Sequence, residues 1–405
     1  MDERIRLLQV NVAGRPSGQL LQQSGFEYRY LQADPAQPAV GLLMPPTRLT
    51  WQDDALFPVM DQNLPEGDLF NRLRQQFPKQ PMTAMHLLAL IGDNGIGRLC
   101  YRVSDGPVPA QAAPISRQSL LRLPLTAQVF DELVNAYLAT GIGVAGMQPK
   151  IMVPDRATIP IPNLIVKTAG AGYPGLAANE YLCMTAAAHA GIDAARVELS
   201  DDGQLLLVER FDLDAGGQRL GFEDVAALMG LRVRDTLSER KYHGSYQRVA
   251  ELLGMITASR HDLQRFYEQL AFSVMVGNGD AHLKNFGVLY HGVGEGIRLA
   301  PMFDVVSTRI YRYQRSPGGP ELEDHTLALR LWSGKAQRSK AYPLPEDLRR
   351  FGRDVCGVRD PQAPLARIAE AMHTTLHAAG SDPRIPAGLL AQLRPVWENG
   401  IRYAQ

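Results

Sequence analysis

The sequence predicts an α+β chain, strand-rich at the front and helical at the back, and three observations carry that prediction. Short apolar runs with period-2 spacing punctuate the first half, amphipathic helical spacing dominates from Glu239 onward, and a proline-rich stretch separates a leading segment from the rest. Residues 1–105 form the first predicted unit, with strands over Leu7–Val12, Tyr28–Leu31 and Arg98–Val103 and a helix after Asn63-Leu64-Pro65-Glu66-Gly67. Residues 106–118 carry three prolines among small residues and read as a linker or extended crossover. From 119 to 233 helices and strands alternate, and 234–405 reads as a helical lobe interrupted by loops, among them Ser316-Pro317-Gly318-Gly319-Pro320. The sequence contains no internal repeat.

Composition narrows the class before any motif is considered. The chain has 405 residues, enough for two or three domains, each with its own core. Lysine plus arginine equals aspartate plus glutamate at 42 each, so no global charge draws it to nucleic acid or to an anionic membrane. Cys100, Cys183 and Cys356 are far apart and lack C-x-x-C spacing, which argues for reduced core thiols over a disulfide framework or zinc site. The start has no apolar signal core and no apolar run approaches membrane-spanning length, so the expected location is the cytoplasm, with no membrane partner.

The chemistry is concentrated in two loops. Gly277-Asn278-Gly279-Asp280-Ala281-His282-Leu283-Lys284-Asn285-Phe286 carries the D-x-x-x-x-N spacing of a kinase catalytic loop, in which the aspartate accepts the acceptor's hydroxyl proton and the asparagine holds a metal. Ala300-Pro301-Met302-Phe303-Asp304 follows and offers a second metal ligand in Asp304. Carboxylate and amide oxygens suit Mg2+, a hard cation that takes one or two protein ligands and fills its octahedron with phosphate and water. Asn, Gly and Asp are also ordinary turn residues, and D-x-x-x-x-N alone is a weak motif; the paired segments carry the reading. The layout is therefore that of a two-lobed, protein-kinase-like enzyme using ATP and Mg2+.

Upstream segments supply the nucleotide side. Gly141-Ile142-Gly143-Val144-Ala145-Gly146 spells G-x-G-x-x-G, yet a helical stretch (Val129–Leu138) precedes it and a strand (Lys150–Val153) follows, the reverse of a dinucleotide fingerprint. Backbone amides at these glycines can close around phosphate oxygens with Lys150 adding charge, although a plain glycine turn is the commoner meaning of such a motif. Asn163-Leu164-Ile165-Val166-Lys167 reads as a strand whose terminal lysine contacts phosphates, and Glu180 opens a helix from which it could pair with Lys167 or remain a solvated charge. Leu205–Asp212 reads as a buried strand entering a polar connector, where an adenine would meet backbone groups of Glu209, Arg210 and Phe211.

In order, Ala145-Gly146-Met147-Gln148-Pro149-Lys150, Ile165-Val166-Lys167, Asn179-Glu180, Val208-Glu209-Arg210-Phe211-Asp212, Lys241-Tyr242, the Asp280 loop and the Asp304 loop closely resemble the HipA family of bacterial serine/threonine kinase toxins of type II toxin–antitoxin systems. Asn63–Gly67 and Leu87–Gly92 resemble that family's N-terminal subdomain, so the resemblance covers nearly the whole chain. It implies a HipA-type fold with an N-terminal α/β subdomain and a helical C-terminal lobe. It also implies a kinase that arrests growth by phosphorylating a translation factor such as an aminoacyl-tRNA synthetase. Carried over by position, Asp280 is the catalytic base and Asn285 and Asp304 the magnesium ligands. Ala145, Gly146, Met147, Gln148, Pro149, Lys150 and Lys167 contact phosphates, while His282, Leu283, Lys284 and Phe303 complete the ATP pocket. The implied partners are a protein substrate and a HipB-like helix-turn-helix antitoxin, with operator DNA reached only through the antitoxin complex.

One position departs from the family. The serine autophosphorylated in the family's best-known pattern is Gly143 here, which has no hydroxyl, and Thr140 reads as a helix-end residue rather than a substitute. Two alternatives stay open at the level of sequence: a kinase-shaped corepressor that binds antitoxin and operator DNA, and a small-molecule kinase. Arg330, Lys335, Arg338 and Lys340 beside Trp332 could touch DNA phosphates or form a solvated face. Arg232, Arg234, Arg240 and Lys241 flank Ser238 in a segment that could receive substrate or be a plain exposed connection.

Overall fold

The computed structural model describes residues 5–64, 70, 82–92, 95–103, 117–122, 124, 150–153, 164–168, 173–232, 238–314, 321–323, 325–334 and 339–405. The chain divides into two compact units that interleave in sequence. The first holds residues 1–168, 207–241 and 287–297, the second 169–206, 242–286 and 298–405.

The first unit begins with a five-stranded antiparallel sheet in the order β4-β3-β2-β1-β5. Its strands are β1 (Leu7–Val12), β2 (Arg15–Gln22), β3 (Phe26–Tyr30), β4 (Thr50–Asp53) and β5 (Leu99–Arg102). In β1 alternate residues Leu8, Val10 and Val12 are buried, the period-2 pattern of a half-buried strand. Ala13 and Gly14 both have positive φ, 49° and 77°, which is what a two-residue hairpin needs to match the twist of β1 and β2. Tyr28 and Tyr30 bury edge-to-face, ring centroids 4.8 Å apart, and the Tyr28 hydroxyl donates to Ser17 Oγ. Helix α1 (Ala84–Ile91), capped by Thr83, packs on β5 and β1. Strands β6 (Lys150–Val153) and β7 (Leu164–Thr168) pair antiparallel with Lys150 opposite Lys167.

A further antiparallel pair, Gly221–Asp224 with Gly287–Tyr290, completes this unit and carries a buried acid. Glu223 Oε1 accepts from Leu42 N at 2.6 Å and from the Tyr290 hydroxyl at 2.7 Å. Burial pushes its carboxyl up to about 7, against these donors and Arg98, which pull it down. Because the folded value lies above the unfolded one, the folded state holds the extra proton between about pH 4.5 and 7, and stability falls as pH rises through that window. Glu223→Gln keeps the accepting oxygen and removes the titration. Its melting temperature is expected to change less between pH 5 and pH 8 than that of the wild type, as read by circular dichroism.

The second unit is helical, as expected from Glu239 onward. It contains α2 (Leu176–His189), short strand β8 (Val197–Leu199), the start of β9 (Leu205–Glu209), α3 (Tyr246–Thr257), α4 (Arg260–Met275), α5 (Pro345–Asp354), α6 (Gln362–Ala379) and α7 (Ala387–Ile401). Ser245 and Ser259 cap α3 and α4 by accepting from Arg248 N and Asp262 N, each at 3.2 Å. The core is α4 with Phe266, Tyr267, Leu270 and Phe272, α6 with Leu365, Ile368 and Met372, and α7 with Trp397, all at most 1% exposed. Gly400 of α7 lies so close to the end of α4 that a Cβ there would sit 1.8 Å from Met275 O. That approach fixes the helix which leads directly into the Asp280 loop.

Cys100, Cys183 and Cys356 are buried free thiols, as expected. The helix expected after Gly67 and the glycine-rich stretch 141–146 lie outside the described residues, as does most of the 106–118 linker; Arg117 and Gln118 open a short helix, Arg117–Arg122. Among the described residues no helix is long and apolar enough to cross a membrane.

Candidate active site

Within the second unit, the loop between α4 and the 3-10 turn Leu283–Asn285 holds the predicted catalytic residues. Residues 271–279 are all buried, Asp280 is exposed, and Ala281, His282 and Leu283 are buried again. The Asp280 side chain is thus presented to solvent from a buried wall. Gly277, at φ 72°, makes the turn that leaves the helix, a conformation strained for any residue with a Cβ. Asp280 N donates to Asn278 Oδ1 at 3.0 Å, and Tyr246 Oη donates to Ala281 O at 2.9 Å, so the backbone on both sides of the aspartate is held. Phe286, 3% exposed, anchors the far end between Tyr246 and Phe266.

The Asp304 loop is bolted to this one. Ser307 Oγ donates to Val276 O at 2.5 Å, Arg309 N to Gly277 O at 3.2 Å, and Gly279 N to Thr308 Oγ1 at 2.7 Å. Ser307 is itself clamped by Asn179 of α2, whose Oδ1 accepts Ser307 N at 3.0 Å and whose Nδ2 donates to Ser307 O at 3.2 Å. Asn179 is fully buried, so these bonds replace the water it gave up. The consequence is a fixed spacing between the Asp280 and Asp304 loops.

Asn285 Nδ2 and Asp304 Oδ2 stand 3.5 Å apart. Asn285 Oδ1 accepts His282 N at 3.1 Å, which uses one of its two lone pairs and leaves the other for a ligand. Asp304 adopts φ 59°, a left-handed conformation that aspartate tolerates at a cost and that marks a constrained site. The Asp304 carboxylate and the Asn285 amide oxygen are the kind of donors that fit Mg2+, whose remaining positions come from phosphate and water. No cluster of three or more His, Cys, Asp or Glu occurs among the described residues, so the arrangement does not suit an ion caged by protein alone.

Tyr242 is the residue that sequence reasoning did not assign a task. It closes the 3-10 turn Ser238–Tyr242, and its hydroxyl donates to Asp280 Oδ1 at 2.8 Å while its ring meets His282 edge-on at 5.2 Å. Lys340 Nζ donates to Tyr242 O at 2.8 Å, and Arg330 reaches Gly244 O at 3.4 Å. Two members of the basic stretch weighed for DNA therefore brace the tyrosine's backbone, while Lys335 and Arg338 lie outside the described residues. Trp332 packs beneath Arg350 and against Phe351. No sequence spacing announces a contact between residues 38 apart.

The nucleotide-side candidates lie in the first unit. Lys167, at the end of β7, is 5% exposed. Glu180, 1% exposed on α2, belongs to the second unit, as do His282, Lys284 and Phe303. In the connector, Glu209 pairs with Arg117 at 2.6 Å and Phe211 packs on Phe222. Arg210 is spent structurally: its Nε donates to Asp212 Oδ1 at 2.8 Å, its Nη2 to Asp212 Oδ2 and to Gly95 O. The side chain is buried in an ion pair, so only backbone groups of 209–211 remain for a base. Ala145, Gly146, Met147, Gln148 and Pro149 lie outside the described residues, and Lys150 is placed by its backbone alone. Arg232 pairs with Asp53 and donates to Leu56 O, so it belongs to the sheet unit's packing rather than to a free segment.

Comparison with known proteins matches residues 8–102 to the HipA N-terminal domain and residues 142–379 to the HipA-like C-terminal domain. The chain belongs to the HipA family. Its fold is the family's α+β kinase-like fold: aligned with HipA in a Shewanella oneidensis complex of HipA, HipB and operator DNA, it gives a TM-score of 0.68 at 17% identity, covering 98% of this chain and 96% of that one. Among curated relatives, two Sinorhizobium fredii proteins provisionally named as kinases are similar to this HipA-family chain. Y4dM is 28% identical over 275 residues, and Y4mE 30% identical over 273. The matches cover 63% and 61% of this chain, and each spans 63% of the relative's length.

Proposed function

We propose that this HipA-family chain is a serine/threonine protein kinase that uses Mg-ATP and acts as the toxin of a toxin–antitoxin pair. The observation that carries the proposal is the exposed Asp280 side chain, on a loop that also holds Asn285 and is cross-fixed to the loop of Asp304. Magnesium bound there would neutralise charge on the transferring phosphoryl group. Asp280 accepts the proton of an acceptor hydroxyl, and its exposure admits a side chain borne on a folded protein. Lys167 and backbone amides near Lys150 hold phosphate oxygens, and backbone groups at 209–211 receive the base. The provisional kinase names of the relatives support phosphoryl transfer. The HipB and operator DNA in the Shewanella complex support an antitoxin partner of that kind, through which this chain reaches DNA. An aminoacyl-tRNA synthetase is the substrate class that family membership favours.

The test is phosphosite mapping by mass spectrometry in lysate from cells lacking the antitoxin, incubated with the chain and Mg-ATP. A dominant new phosphoserine or phosphothreonine on one translation protein, absent with Asp280→Asn, is expected. No Asp280-dependent site would overturn the proposal.

Tyr242 orients the base by holding Oδ1. Tyr242→Phe is expected to lower kcat about 5- to 10-fold with the KM for ATP nearly unchanged, the loss of one hydrogen bond to a charged group at an exposed site. A rise in kcat/KM for the acceptor would instead mean that the hydroxyl blocks the site.

A further inference from the structure

The first unit contains a cleft of about 950 Å3 whose described lining is strongly one-signed. Arg15, Arg98, Arg102 and Arg219 line it together with His291, and Glu295 is the only acid among the described lining residues. The hairpin after β1, the end of β5, the 216–219 turn and the 291–295 turn bring these residues together from four separate parts of the sequence.

Arg98 is the informative member. It is 4% exposed, and its guanidinium donates only to backbone carbonyls, Nη2 to Ala39 O at 2.9 Å and Nη1 to His291 O. Its Nε is buried without a hydrogen-bond partner. The Tyr290 ring covers one face of the guanidinium, centroid 4.8 Å away. A buried cation is costly unless a counter-charge accompanies it, and among the described residues no carboxylate is bonded to this one. Buried Glu223 interacts with it electrostatically, but burial holds that carboxyl up to about 7, so it is partly protonated near neutrality and compensates weakly.

We infer that this cleft binds a compact small-molecule polyanion through phosphate or carboxylate oxygens, with Arg98 as its floor and Arg15, Arg102 and Arg219 at its mouth. Guanidinium forks are suited to two-pronged recognition of such oxygens, and several cations around one volume match a multiply charged ligand better than a singly charged one. The volume lies at the upper end of small-ligand pockets and suits a molecule of nucleotide size. This site is independent of the phosphoryl-transfer reading, since none of its residues belongs to that machinery.

The experiment is calorimetric titration of the full chain, in buffer with chelator and no Mg2+, with inorganic pyrophosphate, citrate and a single-stranded oligonucleotide. Wild type and Asp304→Asn are expected to bind pyrophosphate or citrate alike, and whichever binds tighter names the oxyanion. Arg15→Gln with Arg219→Gln is expected to weaken that binding by about tenfold or more, with the ligand-free melting temperature read beside it as the folding control. The inference is overturned by no binding of either anion at about 1 mM, by undiminished binding to the double variant, by loss in Asp304→Asn, or by a preference for the oligonucleotide.

Discussion

Replacing Asp280 by Asn is expected to lower kcat for protein phosphorylation by about 10²- to 10⁴-fold, the range lost when a positioned general base is removed. The substitution is nearly isosteric, and its surroundings indicate that the loop survives it. Asp280 N remains bonded to Asn278 Oδ1, and the bonds from Ser307, Thr308 and Arg309 to residues 276–279 do not involve the Asp280 side chain. An exposed carboxylate also contributes little to folding. The KM for ATP should therefore change little, because the residues assigned to the nucleotide and metal are elsewhere. Steady-state phosphorylation of a mapped acceptor, with thermal melting as the folding control, separates lost chemistry from lost structure. A variant that retains more than about a tenth of wild-type kcat would remove Asp280 from the role of base.

The largest effect on stability is expected at the connector. Asp212 is 1% exposed and is shared between the Arg210 guanidinium and the Gly97 amide, whose N–H lies 2.6 Å from Oδ2. Burial pushes the Asp212 carboxyl up, but Arg210, the Gly97 amide and Arg219 outweigh it and hold the carboxyl below its usual value. Asp212→Ala leaves a buried guanidinium without its carboxylate and is expected to cost about 3–5 kcal/mol in urea denaturation. The pair Arg210→Met with Asp212→Leu removes both charges. It should recover much of that loss, since a buried ion pair replaced by apolar groups is often near neutral. If the double variant is as unstable as Asp212→Ala, the ion pair is not the reason for the loss.

Local pattern made the strands and the two candidate loops legible; tertiary pairing hid the rest. Strand β1 ends where its alternation ends, and β7 spans Leu164–Thr168 against the Asn163–Lys167 expected, because a short apolar run has little freedom in where it pairs. The Asp280 and Asp304 loops were readable because metal and proton chemistry restricts residue type and spacing. Helix α2 begins at Leu176, three residues before Asn179: its first turn is Leu-Ala-Ala behind a left-handed Gly175, which offers no side-chain cap to read. Arg210 looked like a ligand in a polar connector and is instead half of an internal ion pair. Tyr242, Ser307 and Thr308 acquire their roles only through contacts across 29 to 128 residues, which no periodicity encodes.

The proposed site divides its labour: Asp304 and Asn285 would hold metal-bound nucleotide, while Asp280 would move the acceptor's proton. Calorimetric titration of ADP with and without Mg2+ into wild type, Asp304→Asn and Asp280→Asn tests it without knowledge of the substrate. Wild type and Asp280→Asn are expected to gain the same Mg2+-dependent affinity, and Asp304→Asn to lose about tenfold or more of it. Equal losses in the two variants, or none in Asp304→Asn, would contradict the account.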